Sequence, residues 1–319
     1  MENSRDGGSG FFVFTRTSSG HPVFYAVTNT HVIKDGFSVI RVNTGDGKFG
    51  TITPTEWLSH PDGADVSVAI VENYDRNLGF SGLPAEWLLP ERLLNFEVVH
   101  LGADVYMVGR FVLRAGTNTN EPVARSGILS AFPDRANTIK LNGVEKPQEA
   151  FLMEMRSLSG FSGSPTFYNL SVREFIGHLK IAMDVVYNVQ VPGNTRYAER
   201  PELGVYILGI DAGAFSMYED VIQQDGTVQY QTTYKAKNHS GFSVVIPAWK
   251  IIETLDRPEF EMHRIQKERE LASVLNEDVA DAHVARSDNA ETFTREDFER
   301  ALTQASQPLS APDQETKET

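Results

Sequence analysis

Gly160-Phe161-Ser162-Gly163-Ser164-Pro165 is a glycine-flanked serine in a stretch that reads as a tight loop between two strands. Glycine on either side gives the backbone dihedrals that other residues avoid. The loop can therefore present the serine hydroxyl and turn its own N–H groups toward one point. A serine hydroxyl is a poor nucleophile until an adjacent imidazole removes its proton. The imidazole needs a carboxylate to hold its tautomer and stabilise its cation. Two upstream stretches offer those groups. Val27-Thr28-Asn29-Thr30-His31-Val32-Ile33 puts a histidine directly after an apolar strand. Ala64-Asp65-Val66-Ser67-Val68-Ala69-Ile70-Val71 puts an aspartate at the head of an alternating one. The competing groups have ordinary explanations. Asp62 belongs to Pro61-Asp62-Gly63, common turn chemistry. Ser157 and Ser159 lack a glycine on both sides and read as loop hydrogen-bonders. His60, His100 and His178 read as structural or surface residues.

Around these motifs the chain is strand-rich. Residues 8–14, 23–29, 37–42, 66–71, 98–101, 104–113, 127–130, 150–155, 205–210 and 241–247 are short apolar or alternating runs. Gly, Asn, Asp and Pro separate them, which predicts an all-β body rather than βαβ units. Ala248 to Leu255 is expected to form a short helix, ended before Pro258. Residues 258–275, rich in Glu, Arg, Lys and Leu, and 294–302 are expected to be helical, and Ser306–Thr319 disordered.

The bulk numbers set limits. The chain has 319 residues, 40% hydrophobic and 10% aromatic, enough for a substantial core. Its net charge of −14 argues against nucleic acid and anionic membrane surfaces as partners. No run of apolar residues is long enough for a transmembrane helix. There is no cysteine, and the N-terminus lacks the pattern of a signal peptide. The expected setting is reducing and cytoplasmic. The eight histidines are scattered without ligand spacing, so neither a metal nor another cofactor is expected.

The order His31, Asp65, Ser162 and the segments around them resemble the chymotrypsin-like (trypsin-like) serine peptidase superfamily. Within it the chain is most similar to the bacterial HtrA-type peptidase domain, over about residues 8–255. Thr28-Asn29-Thr30-His31-Val32 and Asp65-Val66-Ser67-Val68-Ala69 stand in place of that family's histidine and aspartate segments. Gly160 to Pro165 stands in place of its serine loop. Gly8-Ser9-Gly10-Phe11-Phe12-Val13 and Gly241 to Pro247 match its first and last strands. The resemblance implies two six-stranded antiparallel β-barrels, at about 8–115 and 122–256, with an insertion at about 170–203. Residues 1–256 would form the peptidase domain and 257–319 an acidic, helical tail in place of a PDZ domain. By the same resemblance His31 is the general base, Asp65 orients it and Ser162 is the nucleophile. The N–H groups of Gly160 and Ser162 then form the oxyanion hole. Phe161 stands where digestive relatives have the aspartate that pairs with a newly cleaved N-terminus, so activation by N-terminal clipping is not expected. Ser164 replaces a second glycine and is expected to crowd the loop.

The resemblance also names candidate substrate contacts. Arg156, six residues before Ser162, either favours an acidic side chain at the cleavage site or points to solvent or pairs with Glu154 or Asp211. Asp211 to Gly213 is expected to pair with substrate backbone. The implied function is a serine endopeptidase acting on protein or peptide substrates. The alternatives are a partner-activated effector protease and a catalytically silent binding module of the same fold. The tail carries 15 acidic and 8 basic residues, half of the net charge. It reads either as a solvated appendage or as a docking segment for a regulatory protein partner.

Overall fold

Phe11–Arg16 (β1) and Pro22–Thr28 (β2) form an antiparallel hairpin, with Phe11 opposite Val27 and Arg16 opposite Pro22. The computed structural model describes residues 7–72, 77–96, 99–114, 116, 118–170, 204–220 and 235–288. After β2 comes a single helical turn, Thr30–Lys34 (α1). The strands Ile40–Asn43 (β3), Phe49–Ile52 (β4), Leu58–Ser59 (β5), Ser67–Ile70 (β6) and Leu83–Pro84 (β7) complete the N-terminal half. They do not close into a barrel. The order β5-β6-β2-β1-β7 makes an open five-stranded sheet, and β3-β4 is a separate two-stranded ribbon. The edge strands β5 and β7 are two residues long, too short to carry a ladder round to the ribbon. Side chains unite what hydrogen bonds leave apart. Val13, Tyr25, Val27, Val66 and Val68 enter the main core. Ala26 turns the other way, to Val42, Ile52 and Val71, with Phe12, Phe24 and Phe80 packed around them.

The second half is a closed six-stranded antiparallel barrel, in the order β10-β13-β12-β11-β8-β9. Its strands are Asp104–Arg110 (β8), Pro122–Ala131 (β9), Phe151–Glu154 (β10), Pro165–Leu170 (β11), Gly204–Asp220 (β12) and Lys235–Pro247 (β13). Of the two expected six-stranded barrels only this second one is closed, and the boundary near residue 115 also differs. β8 pairs with β9 and β11 and buries Val105 and Met107, so it belongs here and not to the N-terminal half. An alternating strand looks the same in sequence whichever sheet receives it. Residues 99–101 are not strand. The expected insertion follows β11, and residues 171–203 lie outside the described residues.

Ala248–Leu255 (α2) directly follows β13 and buries Ala248, Trp249, Ile251, Thr254 and Leu255. The Trp249 ring meets Phe151 edge-on at 5.7 Å. The helix Pro258–Asp288 (α3) runs beyond the expected end at Leu275, through a stretch whose Ala, Glu and Arg favour helix. Its first two turns are part of the body rather than of the tail. Phe260 is fully buried with its ring edge-on to Tyr25 at 5.6 Å. Arg257 donates to the Ser59 carbonyl, and His263 pairs with Glu72 at 2.7 Å. One compact unit spans Met1–Ile265 and a second Gln266–Thr319. In the second unit the described residues continue the helix, with Gln266 and Lys267 both bonded to Glu270. The expected helix at 294–302 and Ser306–Thr319 lie outside the described residues. No described helix is long and apolar enough to cross a membrane.

Candidate active site

His31 is the second residue of α1, where backbone N–H groups have no partner within the helix. Asn29, at the N-cap position, makes no side-chain cap. Asp65 does so from across the sheet. Its Oδ1 accepts the His31 backbone N–H at 2.9 Å, and its Oδ2 lies 2.6 Å from His31 Nδ1. The aspartate is buried and the imidazole nearly so, with side-chain exposures of 1% and 17%. The Asp65 backbone is held as firmly. Its carbonyl accepts from Asn29 Nδ2 at 2.8 Å, and its N–H donates to Gln148 Oε1 at 2.8 Å. Asp62, the rival carboxylate, is exposed, and its N–H goes to His60 Nδ1. Burial, the largest influence on His31, pulls its pKa down. The hydrogen bond and charge of Asp65, aided by Asp35 and Asp211, outweigh it and hold the pKa above its ordinary 6.5.

The serine loop consists of two consecutive turns. Phe161 N–H bonds to the Leu158 carbonyl at 3.0 Å, and Ser164 N–H to the Phe161 carbonyl at 2.8 Å. Gly160 (φ +95°) and Gly163 (φ +93°) occupy the third position of each, where a positive φ is required. Phe161, fully buried in the main core, anchors the pair. The Arg125 guanidinium stands 5.7 Å from its ring centre. The Ser159 carbonyl is drawn outward to Val112 N–H at 3.3 Å. Among the described residues, the N–H groups of Gly160 and Ser162 and the Ser162 hydroxyl have no hydrogen-bond partner. The loop lies close to the histidine's helix. A Cβ on Gly8 would sit 2.7 Å from both the Ser162 carbonyl and a Val32 methyl, so one glycine separates them. Ser164 is accommodated, contrary to the expected crowding. A Cβ on Gly109 would fall 1.8 Å from Ser164 Oγ, so the absence of a side chain at 109 makes the room.

The candidate substrate contacts fare differently. Arg156 is exposed and pairs with neither Glu154 nor Asp211. Asp211 is fully buried within β12. Its backbone bonds both ways to the serine loop, accepting from Gly163 N–H at 2.8 Å and donating to the Ser164 carbonyl at 2.9 Å. Its carboxylate receives Ser157 Oγ at 2.7 Å, Ser243 Oγ and the Gly213 N–H. The N–H groups of Asp211 and Gly213 are thus already used, and the expected pairing with substrate does not extend to them. Burial, only partly offset by these bonds, pushes the Asp211 pKa up to about 6. The sequence singled out Asp211 but carried no sign of its burial. Gln148 was missed altogether, since a glutamine in a polar loop has no pattern of its own. A small cleft of about 120 Å³ adjoins the pair, lined by Thr30, His31, Lys34, Ala64, Asp65 and residues 143–146. Among the described residues no cluster of three His, Cys, Asp or Glu could hold a metal ion.

No family model and no curated protein matches the sequence. Among solved structures the chain is similar to the MamO protease domain from Magnetospirillum magneticum, in its apo form. The two are 12% identical over 78% of this chain and 88% of that one, with a TM-score of 0.41.

Proposed function

We propose that this chain is a cytoplasmic serine endopeptidase of the chymotrypsin-like, HtrA-related type, with the N-terminal sheet and its ribbon as counterpart of a first barrel. Ser162 Oγ attacks the peptide carbonyl carbon while His31 Nε2 takes its proton. The Gly160 and Ser162 N–H groups receive the oxyanion. His31 then returns the proton to the leaving amine, and water attacks the acyl-enzyme with His31 again as base. The observation that carries this reading is the buried Asp65 carboxylate. It grips His31 through both its backbone and ring N–H, and the next residue of that helix, Val32, lies one glycine's width from the Ser162 carbonyl. Apo sites of this kind often complete the serine–histidine hydrogen bond only with substrate bound.

A fluorophosphonate probe and a dye-labelled protein substrate test it. Wild type is expected to be labelled and to hydrolyse the substrate, and Ser162→Ala to do neither. Among the described residues the Ser162 side chain holds nothing in place, so the unfolding midpoint of Ser162→Ala should stay within about 2 °C of wild type. Unlabelled wild type, or a labelled and active Ser162→Ala, rules the reading out.

A further inference from the structure

Ser9 precedes β1 and touches the serine loop at two points. Its hydroxyl donates to the Gly160 carbonyl at 2.7 Å, and its N–H donates to the Ser162 carbonyl at 2.7 Å. These are the two residues whose own N–H groups are the candidate oxyanion donors. Ser9 is itself fixed from both sides. Its hydroxyl accepts the Arg110 N–H at 2.7 Å, and its carbonyl accepts Thr28 Oγ1 at 2.7 Å. The contact is tight enough that a Cβ on Gly163 would lie 2.0 Å from the Ser9 carbonyl oxygen.

The need for such a clamp follows from the glycine. Gly160 has a positive φ and no side chain to restrict rotation of its flanking peptides. If the 159–160 peptide turned over, its carbonyl would face the site and its N–H would be lost from it. The preceding carbonyl is held by Val112 N–H. The following one is held by Ser9 Oγ alone among the described residues. Both peptides around Gly160 are thus pinned from outside the loop.

We propose that Ser9 is the positioning residue of the oxyanion hole. Its hydroxyl and N–H hold the Gly160 and Ser162 carbonyls, and so keep the N–H groups of those residues directed at the reacting oxygen. This rests on the endopeptidase reading. Catalysis of that kind depends on donors fixed before the substrate arrives.

The test compares Ser9→Thr with Ser9→Val, near-isosteric variants with and without the hydroxyl, alongside Ser9→Ala and wild type. Fluorophosphonate labelling rates and kcat and KM on a fluorogenic peptide are measured across pH. Ser9→Val and Ser9→Ala are expected to lose about 10- to 100-fold in labelling rate and kcat. KM should change less than about threefold, and the rate should still rise with pH through an unshifted His31 pKa. Ser9→Thr should recover most of the loss. Equal rates for Thr and Val, or a change confined to KM, overturn the proposal while leaving the endopeptidase reading intact. Wild type without labelling or hydrolysis overturns both.

Discussion

Asp65 defines the chemistry of His31 by where it binds. With Oδ2 at Nδ1, the proton sits on that nitrogen and Nε2 is left as the base. Asp211 is the opposite case, a carboxylate with hydrogen-bond donors but, among the described residues, no cation in contact. Its pKa rises from 3.8 to about 6 because burial disfavours its charge. A group raised on folding adds stability that is fully present below about pH 3.8 and lost as pH rises through about 6. Above that the buried charge costs on the order of 3 kcal/mol, from about two pKa units at 1.4 kcal/mol each. Asp211→Asn keeps the shape and removes the charge. It should unfold at a higher temperature than wild type at pH 8, with the difference shrinking toward pH 4.5. Thermal melts at the two pH values check this; an Asn variant less stable at pH 8 than at pH 4.5, relative to wild type, would show that the carboxylate is needed ionised.

The serine loop and β8 are fitted to each other. Gly109 lies where the Ser164 side chain enters, so the two positions share one volume. Gly109→Ala should destabilise by about 1–3 kcal/mol through overpacking. Adding Ser164→Gly should restore part of that, although the new methyl would still stand 2.9 Å from Ser9 Oγ. A double-mutant cycle on denaturant melts measures the coupling, and additive effects would mean the two sites do not compete. The loop's other anchor, Phe161, explains how its shape is held without an ion pair. Its phenyl ring, fully buried in the main core, holds it there.

The body of the protein ends later than its composition suggests. The change to a charged, helix-favouring sequence comes at Arg257, yet Phe260 fills the space against Tyr25. Phe260→Ala should cost about 3–5 kcal/mol, in line with other large-to-small core substitutions. A chain ending after Leu255 should lose at least as much, whereas one ending after Ile265 should unfold near the wild-type temperature. Calorimetry on the two truncations decides this. Only the longer one is suited to testing whether residues 266–319 regulate activity, because loss of activity in the shorter one could follow from the missing Phe260.

The sequence alone carried the strand-rich body, the helix at 248–255 and the residues His31, Asp65 and Ser162 as candidates for one site. These are local signals: period-2 alternation, glycines beside a serine, a histidine at a strand end. Tertiary structure decided which aspartate meets His31, that the N-terminal strands form an open sheet and a separate ribbon, and which sheet receives β8. It also revealed the supports at Ser9 and Gln148 and the burial of Asp211. Each of these depends on residues far apart in the chain, such as Ser9 and Gly160, 151 positions apart, or Asp65 and Gln148, 83 apart. A hydrogen bond or a shared volume between such residues leaves no periodicity in either segment, so it exists only once the chain has folded.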